Sequence, residues 1–386
     1  MIKKKLLFLL GSLDSGGVAK SLVSTIQAID FEKYEVHLYI IGDFSGPFTR
    51  LIPKETIIHT HKRSSSAVAG VEGLKWFLCH CHFLLFLGSI FRLLVSRFSK
   101  SLGGWILSRL LMPLEEEYDL IVDYNGQQQL YFMIDRLNGR KKISFFHSDY
   151  DKWPYYKSMD KRYYPRVDAI FTISPQCVDS MKGNFPEVAN RVQLFENISS
   201  PAVINKMANE KIDTNNWHGH ILVTIGHVWK NKGIDLAIDA AKILRERGID
   251  FTWLFIGKVA ETEWVEVVEA NALHNNMKFL GVLSNPYPYI KLADIIVHPS
   301  RFEGKSIALD EAKILCKPIV VTNFSTVNDQ FIDGVNATIC EMDGNSLANS
   351  IQQLLEDKSI SDKYKDNLKS HIVDNSPEIN KLLDII

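Results

Sequence analysis

Charge of neither sign dominates this chain: 44 basic and 45 acidic residues leave a net charge of -1 over 386 residues. A general nucleic-acid binder carries a basic excess or a basic stripe, so that class is excluded. Cysteine is scarce too. Cys79, Cys81, Cys177, Cys316 and Cys340 are odd in number and widely scattered, which argues against a disulfide framework and for a reducing, cytoplasmic compartment. Long hydrophobic runs are also missing. Residues 76–91 form the longest Lys- and Arg-free stretch of an aromatic-rich region, 16 residues that include His80 and His82, whereas a membrane span needs about 20. At the N-terminus, Lys3, Lys4 and Lys5 precede an apolar run of about five residues, and a signal core needs about 7 to 15. Residues 6–10 therefore read as a buried first strand.

What is present fits a soluble globular protein. Hydrophobic residues make up 46% and charged residues 23%, enough to build two cores of a little under 200 residues each, with a cleft expected between them. Short apolar runs at 6–10, 36–41, 119–122, 143–147, 169–173 and 192–195 alternate with helical patterns, and the alternation restarts at 221–225, 252–256, 278–280, 295–298 and 319–322. Runs that are apolar throughout predict strands buried on both faces, hence parallel sheets covered by helices and two doubly wound α/β domains. The polar stretch after Ser199-Ser200-Pro201 reads as a linker near 198–218. This divides the chain into 1–200, 201–370 and a C-terminal helix within 371–386 that packs back on the N-terminal domain.

Ligands of such folds sit beyond the carboxyl ends of the strands, and four motifs occupy such ends. Gly16 and Gly17 close the loop that follows the first strand. Paired glycines there suit either a tight turn or a backbone cradle for an anion, and the pattern is neither a Walker A loop nor a dinucleotide fingerprint. Gly226-His227, with Lys232-Gly233 before a helix, places one cation and one titratable ring where a diphosphate could bind. In the segment from Ser300 to Ala312, Gly304 permits a sharp turn, and Lys305, Ser306 and Ile307 are expected to offer free N–H groups at a helix start. Glu311 then lies about 9 to 12 Å from Glu303, a spacing that suits the two ends of a sugar–diphosphate–ribose rather than one acid/base pair. His147-Ser148-Asp149 closes the fourth strand.

The segment Glu303 to Glu311 resembles the Glu-x7-Glu motif of retaining GT-B glycosyltransferases of family 4, and its neighbours occur in that family's order: Gly16-Gly17, then Gly226 to Lys232-Gly233, then Cys316 to Thr322. The resemblance implies a GT-B fold, two Rossmann-like domains facing each other across a cleft, and transfer of a sugar from a UDP- or GDP-sugar with no metal or other cofactor. It implies that Glu303 contacts hydroxyls of the transferred sugar, Glu311 the ribose, Lys232 the diphosphate, and His147 the donor sugar from the N-terminal domain. His227 stands where the family usually has arginine, and Lys305-Ser306 replaces its usual Phe-Gly, so Lys305 is a candidate to restore the charge. Asp149 is a candidate acceptor contact. A glycan or lipid-linked acceptor in polysaccharide assembly is the implied setting. A non-catalytic GT-B binding subunit and a nucleotide-sugar epimerase stay open.

Residues 73–114 contain no Asp or Glu, while Lys75, Arg92, Arg97, Lys100 and Arg109 are spread among seven Phe and Trp residues. That mixture suits the surface of an anionic membrane, peripheral on its cytoplasmic face, and equally an amphipathic helix against the sheet. Cys79-His80-Cys81-His82 invites a metal reading, but four consecutive helical residues point about 100° apart and cannot converge on one ion. A second basic and aromatic cluster runs from Asp151 to Arg166.

Overall fold

The computed structural model describes residues 3–13, 17–46, 48–214, 217–371 and 374–386. The chain divides into two compact units. One holds the residues up to Ile198, apart from a short stretch ending at Gly17, together with Pro377–Ile386; the other holds that stretch and Ser199–Ser376. The segment read as linker opens with a helix, Pro201–Met207, whose N-terminus is capped by the Ser200 side chain.

In the first unit β1 (Lys4–Leu10), β2 (Tyr34–Ile40), β3 (Ile57–Thr60), β4 (Glu117–Asp123), β5 (Asn138–Phe146), β6 (Ala169–Thr172) and β7 (Val192–Leu194) form one parallel sheet in the order 3-2-1-4-5-6-7. The unbroken apolar run of β1 has a direct cause. Leu7 and Leu9 enter one core and Leu6, Phe8 and Leu10 the other, so both faces of the strand are dry. The C-terminal helix Ile379–Leu383 completes the second of these cores with Ile379 and Leu382, and Glu378 Oε2 accepts the Glu196 N–H at 2.9 Å.

The second unit repeats the construction. Strands β8 (His220–Ile225), β9 (Phe251–Ile256), β10 (Met277–Gly281), β11 (Ile295–His298), β12 (Ile319–Thr322) and β13 (Thr338–Cys340) pair in parallel in the order 10-9-8-11-12-13. Trp253 and Phe255 fill one side while Leu254 and Ile256 fill the other. Strand order reverses between β8 and β11, and loops leaving the carboxyl ends of two strands at such a point diverge and leave a crevice. The motif-bearing loops follow these two strands.

Between β3 and β4 lie four helices, Lys62–Val68, Gly70–Cys79, Phe83–Phe98 and Lys100–Leu110. Cys79 to His82 do not sit on one helix: Cys79 ends Gly70–Cys79, and His80 to His82 form the break before Phe83–Phe98, with Cys81 at φ 58°. His80 stacks on Trp76 with centroids 4.3 Å apart, so its ring is used for packing.

Candidate functional site

Pairing of Leu222 with Ile295 and of Val223 with Ile296 sets β8 and β11 side by side. Beyond β8 come Gly226, His227 and a tight turn, Lys230–Lys232; β11 ends on His298, and beyond it comes the loop carrying Glu303. The two loops meet at one carboxylate oxygen. Glu303 Oε1 accepts from Lys232 Nζ at 2.5 Å and lies 2.8 Å from His298 Nε2, with 11% of the Glu303 side chain exposed. Burial alone would raise the carboxyl pKa; the Lys232 charge and the His298 hydrogen bond outweigh it and hold Glu303 down at about 2. Glu303 is therefore an ionised acceptor at any physiological pH.

Both loops are rigidly supported. Arg301 grips the Lys230 turn from below: its guanidinium meets Asp235 through two N–H groups at 2.7 and 2.8 Å and also donates to the Lys230 carbonyl, the paired geometry that makes Arg–carboxylate contacts strong. Thr326 Oγ1 donates to the Glu303 carbonyl at 3.0 Å. Gly233 ends the turn at φ 72°, and a Cβ there would overlap the Pro299 carbonyl. Gly233→Ala should thus combine a left-handed penalty with a backbone clash and destabilise the unit by about 2 kcal/mol or more, read as a lower urea midpoint with unchanged slope. An unchanged midpoint would refute this account of the turn.

The helix after Glu303 runs Ile307–Ile314 with Ser306 as its cap residue. Here one expectation fails. The Ser306 N–H is not free, because Gln330 Oε1 accepts it at 3.0 Å and Gln330 Nε2 returns a bond to the Ser306 carbonyl. A side chain from the following loop thereby satisfies a helix-start donor that the sequence left open. Lys305 does not reach into solvent. Its side chain is 10% exposed and lies 3.9 Å from Asp310. Glu311 is 2% exposed and accepts from the Tyr287 hydroxyl at 2.9 Å, which fixes its rotamer.

His227 does not supply a second cation. Burial, and then the charges of Lys232 and Lys258, lower its pKa, so the ring is neutral at pH 7 and its Nε2 is buried without a partner. The neighbouring cation is Lys258, placed there because the Val228 N–H donates to the Lys258 carbonyl. Sequence reasoning passed over Lys258, His298, Tyr287 and Gln330. For Lys258 a signal existed: Ile256-Gly257-Lys258 repeats the strand–glycine–basic order of Ile225-Gly226-His227.

Gly17 opens the helix Gly17–Gln27, whose residues from Val18 on belong to the first unit and which has no acidic residue in its first turn; Gly16 lies outside the described residues. His147 follows β5 and is held by aromatic rings, with Phe145 stacked beneath it at 5.6 Å and Tyr124 at 4.9 Å. Tyr124 is itself fixed by the Ser21 and Thr25 hydroxyls. Burial drives the His147 pKa down to about 4 against a weaker contribution from the Tyr124 backbone, so its imidazole is neutral. Asp149 is 3% exposed, and its Oδ1 accepts from the Asp151 N–H at 3.0 Å and the Ser180 hydroxyl at 2.8 Å. These bonds build the turn after His147.

Among the described residues no group of three or more His, Cys, Asp or Glu is placed to hold a metal ion. A cavity of about 760 Å³ lined by Trp217, His218, Asn275, Lys278 and Leu280 lies where the chain enters β8, at the opposite end of the sheet from Glu303, and has no part in this chemistry.

Residues 207–371 match the family described as Glycosyl transferases group 1. Over 38% of the chain the sequence is 24% identical to alpha-D-kanosaminyltransferase of Streptomyces kanamyceticus, covering 39% of that protein. Over 35% it is 28% identical to the capsular polysaccharide biosynthesis glycosyltransferase CapM of Staphylococcus aureus, covering 37% of it. These matches span about two fifths of each relative's length. Anabaena HepE, solved in complex with UDP-glucose, superposes with a TM-score of 0.68 over 98% of both chains at 17% identity, a likeness of fold. Over residues 207–371 the second unit is thus similar to the group 1 glycosyl transferases, and the two parallel-sheet Rossmann-like units have GT-B neighbours.

Proposed function

We propose that the chain is a retaining glycosyltransferase of family 4 that moves a hexose or N-acetylhexosamine from a UDP- or GDP-sugar to a hydroxyl of a glycan or lipid-linked acceptor, in cell-surface polysaccharide biosynthesis. The observation that carries this reading is Glu303, kept ionised between Lys232 and His298 at the β8–β11 switch point. An anionic carboxylate accepts from sugar hydroxyls, and a lysine beside it can leave the ion pair for a diphosphate. Glu303 then orients the transferred sugar, Lys232 neutralises the departing diphosphate, and Glu311, steadied by Tyr287, holds the ribose hydroxyls. The first unit's part is assigned to His147, a neutral hydrogen-bond partner for the transferred sugar. In the reaction the bond from the anomeric carbon to the phosphate oxygen breaks, a bond to the acceptor oxygen forms, and the acceptor's proton passes to the released diphosphate.

A donor panel tests the reading. Purified protein is given UDP-glucose, UDP-N-acetylglucosamine and GDP-mannose, with and without glycan or membrane lipid extract, and nucleotide release is followed. The expected result is acceptor-dependent release from one donor, unaffected by EDTA, with the anomeric configuration retained in the product. Binding without release would favour a non-catalytic subunit, and isomerised sugar without acceptor would favour an epimerase. Either outcome displaces the proposal.

A further inference from the structure

The helix Phe83–Phe98 is built inside out. Its one buried residue is Ser89, and the side packed on the helix Lys100–Leu110 is lined by small residues: a Cβ at Gly88 would press on Leu110, and one at Gly103 would overlap Ser96. Close packing through glycine and serine takes up much of the inner face, with Leu85 and Phe86 partly buried against the core. Six other bulky residues point outward. Phe83, Leu84, Leu87, Phe91, Leu94 and Phe98 are all exposed, Leu84 by 86% and Phe98 by 93%, and at about 100° per residue they share one arc about 100° wide. An apolar stripe of that extent on a water-soluble surface marks an interaction site.

The local charge identifies its partner. Of the five cations in residues 73–114, Lys75 pairs with Glu72 at 2.7 Å, Arg109 pairs with Asp135 at 2.7 Å, and Arg92 is half-buried on the face opposite the stripe. Arg97 and Lys100 remain, exposed beside Phe98 at the end of the stripe and without an acidic partner among the described residues. A second aromatic and basic segment packs on the neighbouring helix, Lys100–Leu110. Tyr155, 58% exposed, is tied to the helix Lys100–Leu110 through its carbonyl and the Ser101 hydroxyl at 3.0 Å; Trp153 packs edge-on against it, and Lys152, Lys161 and Arg162 nearby are exposed. Apolar side chains flanked by aromatic residues and unpaired cations match a bilayer interface, where acyl chains take the stripe and anionic headgroups the cations. No helix among the described residues is long and apolar enough to cross a membrane. We propose that this face docks the chain peripherally on a membrane rich in anionic lipid, with Phe83–Phe98 lying in the plane of the interface. The proposal is independent of the transfer reaction.

Sedimentation of the full chain with vesicles tests it. Vesicles of equal parts phosphatidylglycerol and phosphatidylcholine should carry the protein down, and pure phosphatidylcholine vesicles should carry about tenfold less. The pair Leu84→Glu and Phe91→Glu should reduce binding to mixed vesicles by about tenfold or more, whereas Ile332→Glu, which charges an exposed apolar residue of the second unit, should leave it unchanged. Circular dichroism melts matching the parent protein show that the variants fold, as expected for exposed sites; if the pair does not fold, Phe98→Ala repeats the test. Undiminished binding of the stripe variants, or equal binding to neutral vesicles, overturns the proposal. So does a concentration-dependent dimer by light scattering that the stripe variants dissociate, which would assign the stripe to a second copy of the chain.

Discussion

Glu303→Gln is expected to lower kcat by about three orders of magnitude, roughly 4 kcal/mol of transition-state stabilisation, while nucleotide affinity changes by no more than about threefold. Glutamine keeps the shape of the side chain and one acceptor oxygen, so the loop held by Thr326 has no reason to move. What disappears is the charge that the site is built to maintain, since Lys232 and His298 both converge on Glu303 Oε1. Positive charge that develops at the anomeric carbon as the phosphate departs then loses its nearest anion. Lys232, released from the ion pair, remains available to a diphosphate, so any change in nucleotide binding should be towards tighter. Isothermal titration with UDP or GDP beside steady-state kinetics separates the two effects. Undiminished turnover removes Glu303 from the chemistry, and equal losses in binding and turnover reduce it to a loop support.

Much of this was legible in the sequence, for a physical reason. Strands with both faces buried carry unbroken apolar runs, so β8, β11 and β12 declare themselves, and the loops that matter start where those runs stop. The edge strands β3 and β13 gave no such signal. Ile57 to Thr60 is nowhere fully buried, and Thr338 to Cys340 has one buried residue, so neither has an apolar run to show. Side-chain partnerships were less visible still. Gln330 reaches Ser306 from 24 residues away, and Tyr287 reaches Glu311 from an equal separation; no local pattern encodes such a contact. The charge of His227 was left open by the sequence because a histidine takes its charge from its surroundings; burial, and then two lysines, keep it neutral. The metal question at Cys79 to His82 rested on a continuous helix, which the left-handed Cys81 interrupts.

Lys232→Met should be as damaging as the loss of Glu303, and its pH dependence is the more informative part. Without the ammonium the departing diphosphate loses a fixed positive partner, a loss of about two to three orders of magnitude in kcat/KM. The second consequence falls on Glu303. In the parent protein its folded pKa, about 2, lies below the ordinary carboxylate value of 4.5, so the ion pair contributes stability that is fully present above about pH 4.5 and is lost as pH falls towards 2. Linkage puts that contribution on the order of 3 kcal/mol. Methionine fills similar volume but leaves a buried carboxylate facing only His298, and burial, the largest influence on this group, then drives its pKa upward. The acid limb of whatever activity survives should therefore move to higher pH, and acid unfolding should begin at higher pH than in the parent. Lys232→Arg, which keeps the charge in a different geometry, should restore the acid limb more fully than the rate. A variant that lost rate with an unmoved acid limb would show that Lys232 serves the diphosphate alone and that the Glu303 charge is maintained by His298.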